Sequence, residues 1–124
     1  MAIQETDGVA ELDVMMSRAA AACLFHALSD STRLQVVQHL LTGPHRVVDL
    51  KEHLGLAQST VSAHVACLRD CGLLDATPVG RSTMYSVSHP EATADFLRAA
   101  EELLLVTGSA VVLCPRHAAS DHDQ

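Results

Sequence analysis

Cys67 and Cys71 stand four residues apart in the stretch ACLRDCGLL, and two thiols at that spacing on a helix lie one above the other on the same side. Deprotonated, they can chelate a single soft ion, and a third ligand would complete the site. Cys114, beyond the last apolar run, is the best placed to supply it. Three thiolates favour Cd(II) and Pb(II) and tolerate As(III), whereas tetrahedral Zn(II) wants a fourth ligand, for which His117 and His122 are at hand. The apolar positions Val61, Val65 and Leu68 form a stripe, and the cysteine pair falls roughly 100° around the helix from it, on the side of Thr60 and His64. A pair that misses the stripe is poorly explained as core packing. Cys23, in AAACLFHAL, lies in an apolar helix and reads instead as a packed thiol.

A second chemistry precedes the first on the same segment. Gln58, Ser59, Thr60, Ser62 and His64 are the polar side chains a helix needs to read a DNA groove near its N-terminal end. Gln pairs bidentately with adenine, and Ser or Thr can contact a base edge or a phosphate. Ser59 and Thr60 are also plausible caps for this helix, and capping and phosphate contact can share one geometry. Arg81, at the turn Pro78-Val79-Gly80-Arg81, offers one cation to one phosphate.

The elements that must carry these residues can be read from pattern. Residues 12–28, LDVMMSRAAAACLFHAL, are rich in helix formers and predict one helix or two short ones. The cluster Ser29-Asp30-Ser31-Thr32 opens a helix RLQVVQHLL that Gly43-Pro44 stops. A short helix from Val47 to Leu54, a turn at Gly55 and the helix bearing the cysteines make a helix-turn-helix. Residues 73–88 alternate as strands around Gly80 and predict a β-hairpin wing. From Pro90 the sequence through Leu113 reads as a last long helix, with Phe96, Leu97, Ala100, Leu103 and Leu104 on a broad apolar face. The expected fold is mainly α with a small β-hairpin. Residues 1–11 form a flexible lead-in, residues 12–113 the winged helix-turn-helix domain, and residues 114–124 a polar tail carrying a metal ligand.

Composition bounds the function. The 124 residues are 48% hydrophobic but only 2% aromatic, so the core must be built of Leu, Val and Ala, which favours helices. The longest apolar run, Ala19 to Phe25, is too short to cross a membrane, and the acidic start lacks the pattern of an export signal. A cytoplasmic protein with no membrane partner is expected, its four cysteines in a reducing environment. The net charge of -7 argues against nucleic acid, but its distribution does not. Residues 1–32 and 82–124 each balance to -4, and the centre that holds the helix-turn-helix balances to +1.

The stretch ALSDSTRLQVVQHLL, the following DLKEHLGLAQSTVSAHVACLRDCGLL and the wing VGRSTMYSVS together resemble the ArsR/SmtB metal-sensing repressors, over roughly residues 24–111. The C-L-R-D-C of the second helix plus one distal Cys is most similar to the CmtR-type cadmium and lead sensors of that family. The resemblance implies a homodimer that binds its operator when metal-free and lets go when metal binds, with the tail cysteine reaching the recognition helix of the other protomer. The cysteine pair that another branch carries before Asp-Leu is absent here, where HRVVDL retains only His45. The histidines that a further branch uses along the last helix are absent between Glu91 and Val111. His26, His39 and His53 read as surface or half-buried structural residues.

The first and last helices carry apolar faces too broad for a single small chain, so a homodimer is expected to form through them. Operator release would then follow capture of Cd(II) or Pb(II) by Cys67, Cys71 and Cys114. Two alternatives use the same fold: an As(III) sensor, and a thiol-redox or sulfide sensor with a reversible disulfide from Cys67 to Cys71 or Cys114. A metal carrier would not need the Gln58–His64 face. No enzyme is expected, since no nucleophile with a base, phosphate loop or carboxylate pair emerges.

Overall fold

The computed structural model describes residues 2–113, with side chains from Ala10 onward. Expectations for Cys114, His117, His122 and the 114–124 tail lie outside the described residues. Among the described residues, five helices and one hairpin follow in order: α1 (Ala2–Leu28), α2 (Ser31–Leu40), α3 (Val47–Leu54), α4 (Gln58–Asp70), β1 (Leu74–Val79), β2 (Ser82–Val87) and α5 (Pro90–Val106).

Three boundaries differ from the sequence reading. The segment expected as a lead-in is helical, and α1 runs unbroken from Ala2 through Gly8, since a single glycine among Ala, Gln and Glu costs only about 1 kcal/mol. The last helix stops at Val106, seven residues short of Leu113, where Gly108 takes a positive φ and β-branched residues follow. Ser59 and Thr60 do not cap α4. Ala57 is its N-cap residue, and both side chains lie inside the first turn.

The start of α2 explains the run Asp30-Ser31-Thr32-Arg33. The Asp30 carboxylate accepts from the Arg33 backbone N–H at 2.9 Å and so caps α2. The Arg33 guanidinium turns back to donate to the carbonyls of Ala27 and His26, both at 2.9 Å. These are orphan carbonyls at the end of α1, so one residue ties two helix termini together. At α3, Asp49 accepts from the backbone N–H and the guanidinium of Arg46, closing the first turn.

The core gathers one face each from α2, α3, α4 and the hairpin. Val36, Val37 and Leu40 of α2, Leu50 of α3, Val61, Val65 and Leu68 of α4, and Leu74 and Val87 of the hairpin form one buried cluster around Ala27. Gly55 adopts the left-handed conformation (φ 67°) that lets α3 turn sharply into α4. The strands pair antiparallel from Leu74↔Val87 to Val79↔Ser82, with Gly80 (φ 62°) and Arg81 at the tip. At its base the wing gains a further rung, because His45 and Tyr85 exchange backbone hydrogen bonds of 3.0 and 2.8 Å.

The outer helices are only partly used by this core. Leu12, Met15, Met16 and Phe25 of α1 and Leu103, Leu105 and Val106 of α5 are exposed, and Phe25 meets Phe96 ring to ring at 6.2 Å. No described helix is long and apolar enough to cross a membrane.

Candidate functional site

The helix α4 is anchored by three fully or almost fully buried residues, Val61, Val65 and Leu68, which face α2 and α3. Its opposite face is therefore turned to solvent. Gln58, Ser59 and Ser62 are exposed there on the first two turns, and Thr60 is half-buried at the edge. Further along the outer face Arg69 is exposed as well, a cation that the sequence reading did not include. Arg81 is exposed at the hairpin tip. His64 is turned away from this set. Its side chain is only 15% exposed, and Nε2 lies 3.7 Å from the Asp30 carboxylate, which the Arg33 backbone holds below the usual carboxylate range. His64 thus spans α4 and the cap of α2.

The cysteines sit at the other end of α4. Cys67 and Cys71 are both half-buried at the rim of the core, one turn apart, with Cys71 forming the C-cap. Cys67 is a free thiol. Cys71 is joined by a disulfide to Cys23 of α1, with a Cα–Cα distance of 6.0 Å. Cys23, expected as a packed thiol, is exposed and is the partner of Cys71. In this bonded form Cys71 offers no thiolate. On the path toward Cys114, Leu113 is held within its own chain: its carbonyl accepts from Gln38 Nε2 at 2.8 Å, and its N–H donates to Glu101.

A third grouping was not legible from spacing. His39 at the end of α2, His45 in the connection to α3 and His53 on α3 converge, with one ligand-capable nitrogen of each within 4.8 Å of the others. The His39 imidazole is held below its ordinary pKa, first by burial and then by repulsion from His45 and His53.

A helix-turn-helix whose second helix presents a polar outer face, followed by a two-stranded hairpin, defines a winged helix-turn-helix protein. Residues 30–76 match the family of bacterial regulatory proteins described as arsR. The probable mercury resistance operon repressor of Streptomyces lividans is 38% identical over 95 residues, covering 77% of this chain and 75% of that protein. The chain belongs to the arsR family of bacterial regulatory proteins. The HTH-type transcriptional regulator CmtR of Mycobacterium tuberculosis is 44% identical over 73 residues, 59% of this chain and 62% of that protein. Among solved structures, reduced HlyU from Vibrio cholerae superposes with a TM-score of 0.61 at 28% identity, covering 71% of this chain and 95% of that chain. NolR from Sinorhizobium fredii gives a TM-score of 0.65 at 26% identity, covering 79% and 94%.

Proposed function

We propose that this chain is a homodimeric metal-responsive repressor that holds operator DNA when metal-free. It releases the DNA when Cys67, Cys71 and Cys114 capture a soft ion, Cd(II) or Pb(II), with As(III) or Zn(II) as further candidates. The observation that carries the reading is the placement of Cys67 and Cys71 one turn apart on the helix whose other end presents Gln58, Ser59 and Ser62 to solvent. An ion held there restrains the groove-reading helix directly. The similarity to a mercury operon repressor and to CmtR supports a metal effector, and the exposed apolar faces of α1 and α5 support a dimer formed through them. Thymine methyls, adenine edges and phosphates are the groups that Gln58, Ser59, Thr60, Ser62 and Arg81 can address.

The disulfide favours a second reading. Cys23 and Cys71 are close enough to bond, and oxidation of the two thiols would deliver two electrons and two protons to an oxidant such as a peroxide. On this reading the same fold responds to redox state.

One experiment separates the two. The reduced protein is bound to a fluorescent promoter fragment under anaerobic conditions, and Cd(II) or peroxide is added while anisotropy and thiolate charge-transfer absorbance are followed. Loss of DNA with Cd(II), accompanied by charge-transfer absorbance, supports metal sensing. Loss with peroxide alone, and none with Cd(II), Pb(II) or As(III), overturns it in favour of redox sensing.

A further inference from the structure

We propose that His39, His45 and His53 form a second metal site, built of nitrogen rather than sulfur, that takes one borderline divalent cation such as Zn(II). It lies at the junction of α2, α3 and the base of the wing. The three rings cluster with centroids 4.5, 5.0 and 5.4 Å apart, one pair tilted and the other two edge-on. His39 Nε2 is 2.9 Å from His53 Nδ1, and the ligand-capable nitrogens of all three lie within 4.8 Å. Tetrahedral coordination at zinc–nitrogen distances of about 2.0–2.1 Å needs nitrogens roughly 3.3 Å apart, so small ring rotations suffice.

The chemistry of each ring suits the role. His45 Nδ1 lies 2.7 Å from the Gly43 carbonyl oxygen. A carbonyl can only accept, so Nδ1 carries the hydrogen and Nε2 is left with its lone pair. This is the outer hydrogen bond that commonly fixes the tautomer of a ligating histidine. His45 is also fixed in place by its backbone pairing with Tyr85. Between His39 and His53 a single hydrogen occupies the contact, and it moves to the far nitrogen of its own ring when an ion takes its place. Burial, and after it the neighbouring His45 and His53, bias His39 to the neutral form that a metal requires. Three imidazoles leave a fourth position for water, and imidazole suits Zn(II), Ni(II) and Cu(II) better than it suits Cd(II) or Pb(II). The site needs neither Cys67 nor Cys71 and stands apart from the sulfur reading.

The test uses Co(II) and Zn(II) on the full chain with Cys67, Cys71 and Cys114 replaced by Ser, its metal-free circular dichroism first matched to the parent. One equivalent of Co(II) should bind with visible d–d bands and no intense near-ultraviolet sulfur charge transfer. His53→Gln, a change at an exposed position, should weaken binding at least tenfold, and His39→Gln likewise. In parallel, the unaltered reduced protein is followed by imidazole nitrogen NMR, where Zn(II) should shift His39, His45 and His53 together. Binding that survives His39→Gln and His53→Gln, that disappears instead with His117→Gln and His122→Gln, or that leaves the three imidazole signals unmoved overturns the proposal.

Discussion

Cys71 closes the C-terminal end of α4 while its sulfur is bonded to Cys23 of α1, and Cys67, one turn earlier, remains a free thiol. One sulfur therefore belongs to two candidate chemistries. Metal capture by the Cys67–Cys71 pair requires the thiol form of Cys71, and the bonded form withdraws it. The two readings of this protein are mutually exclusive at the level of the molecule, whatever their relative weight in the cell.

Replacing Cys23 with Ser separates them. The variant should retain the Cd(II) response and lose any peroxide response, and Cys67→Ser should do the reverse. With allosteric couplings typically between about 5- and 150-fold, the Cd(II)-dependent drop in operator affinity should fall to about onefold in Cys67→Ser. Anisotropy titrations with and without each effector check both arms.

Gln58→Ala should weaken specific operator binding by about 1–3 kcal/mol and relax preference at one base pair, as expected for loss of a bidentate contact. Arg81→Ala should weaken binding to all sequences alike and reduce the slope of log affinity against log salt by about one. Salt-dependent anisotropy on specific and scrambled duplexes distinguishes the two outcomes. His64→Gln should behave differently from both, because His64 faces Asp30 and not solvent, and its effect should fall mainly on stability.

Leu68 is fully buried where α4 meets the rest of the core. Leu68→Ala should cost about 2–5 kcal/mol, measured as a lower midpoint in chemical denaturation with an unchanged slope. The exposed Leu103→Ala should leave the folded subunit nearly as stable, and its effect should appear as a concentration-dependent loss of self-association in sedimentation.

Acid should loosen the start of α3. The Arg46 guanidinium and backbone N–H beside Asp49 lower its pKa from 3.8 to about 2. A depressed carboxylate contributes stability that is complete above the unfolded value of 3.8 and is lost as pH falls through about 2. Asp49→Asn should therefore flatten the pH dependence of stability across that window, with the difference shrinking in high salt because the pair is partly exposed. Thermal unfolding followed from pH 5 to pH 2 measures it.

Much of the architecture is written locally. The bounds of α3, the glycine turn into α4, the stripe Val61-Val65-Leu68 and Pro90 at the start of α5 follow from periodicity and helix-end chemistry, which act within a few residues. What spacing conceals is tertiary. Cys23 and Cys71 are 48 positions apart, and an apolar setting for Cys23 gave no sign that α1 would bring it to the end of α4. His39, His45 and His53 come from two helices and a connection, and only the packing of α2 against α3 draws them together. The polar character of His64 suggested a groove contact, while its helical phase, three positions beyond Val61, places it beside the buried stripe.

The backbone rung between His45 and Tyr85 gives the hairpin a third point of attachment, to the chain just before α3. The hairpin is consequently tethered partway along β2 as well as where its two strands leave the body. Movement of β2 is thereby coupled through the backbone to the entry of α3, the helix against which α4 packs.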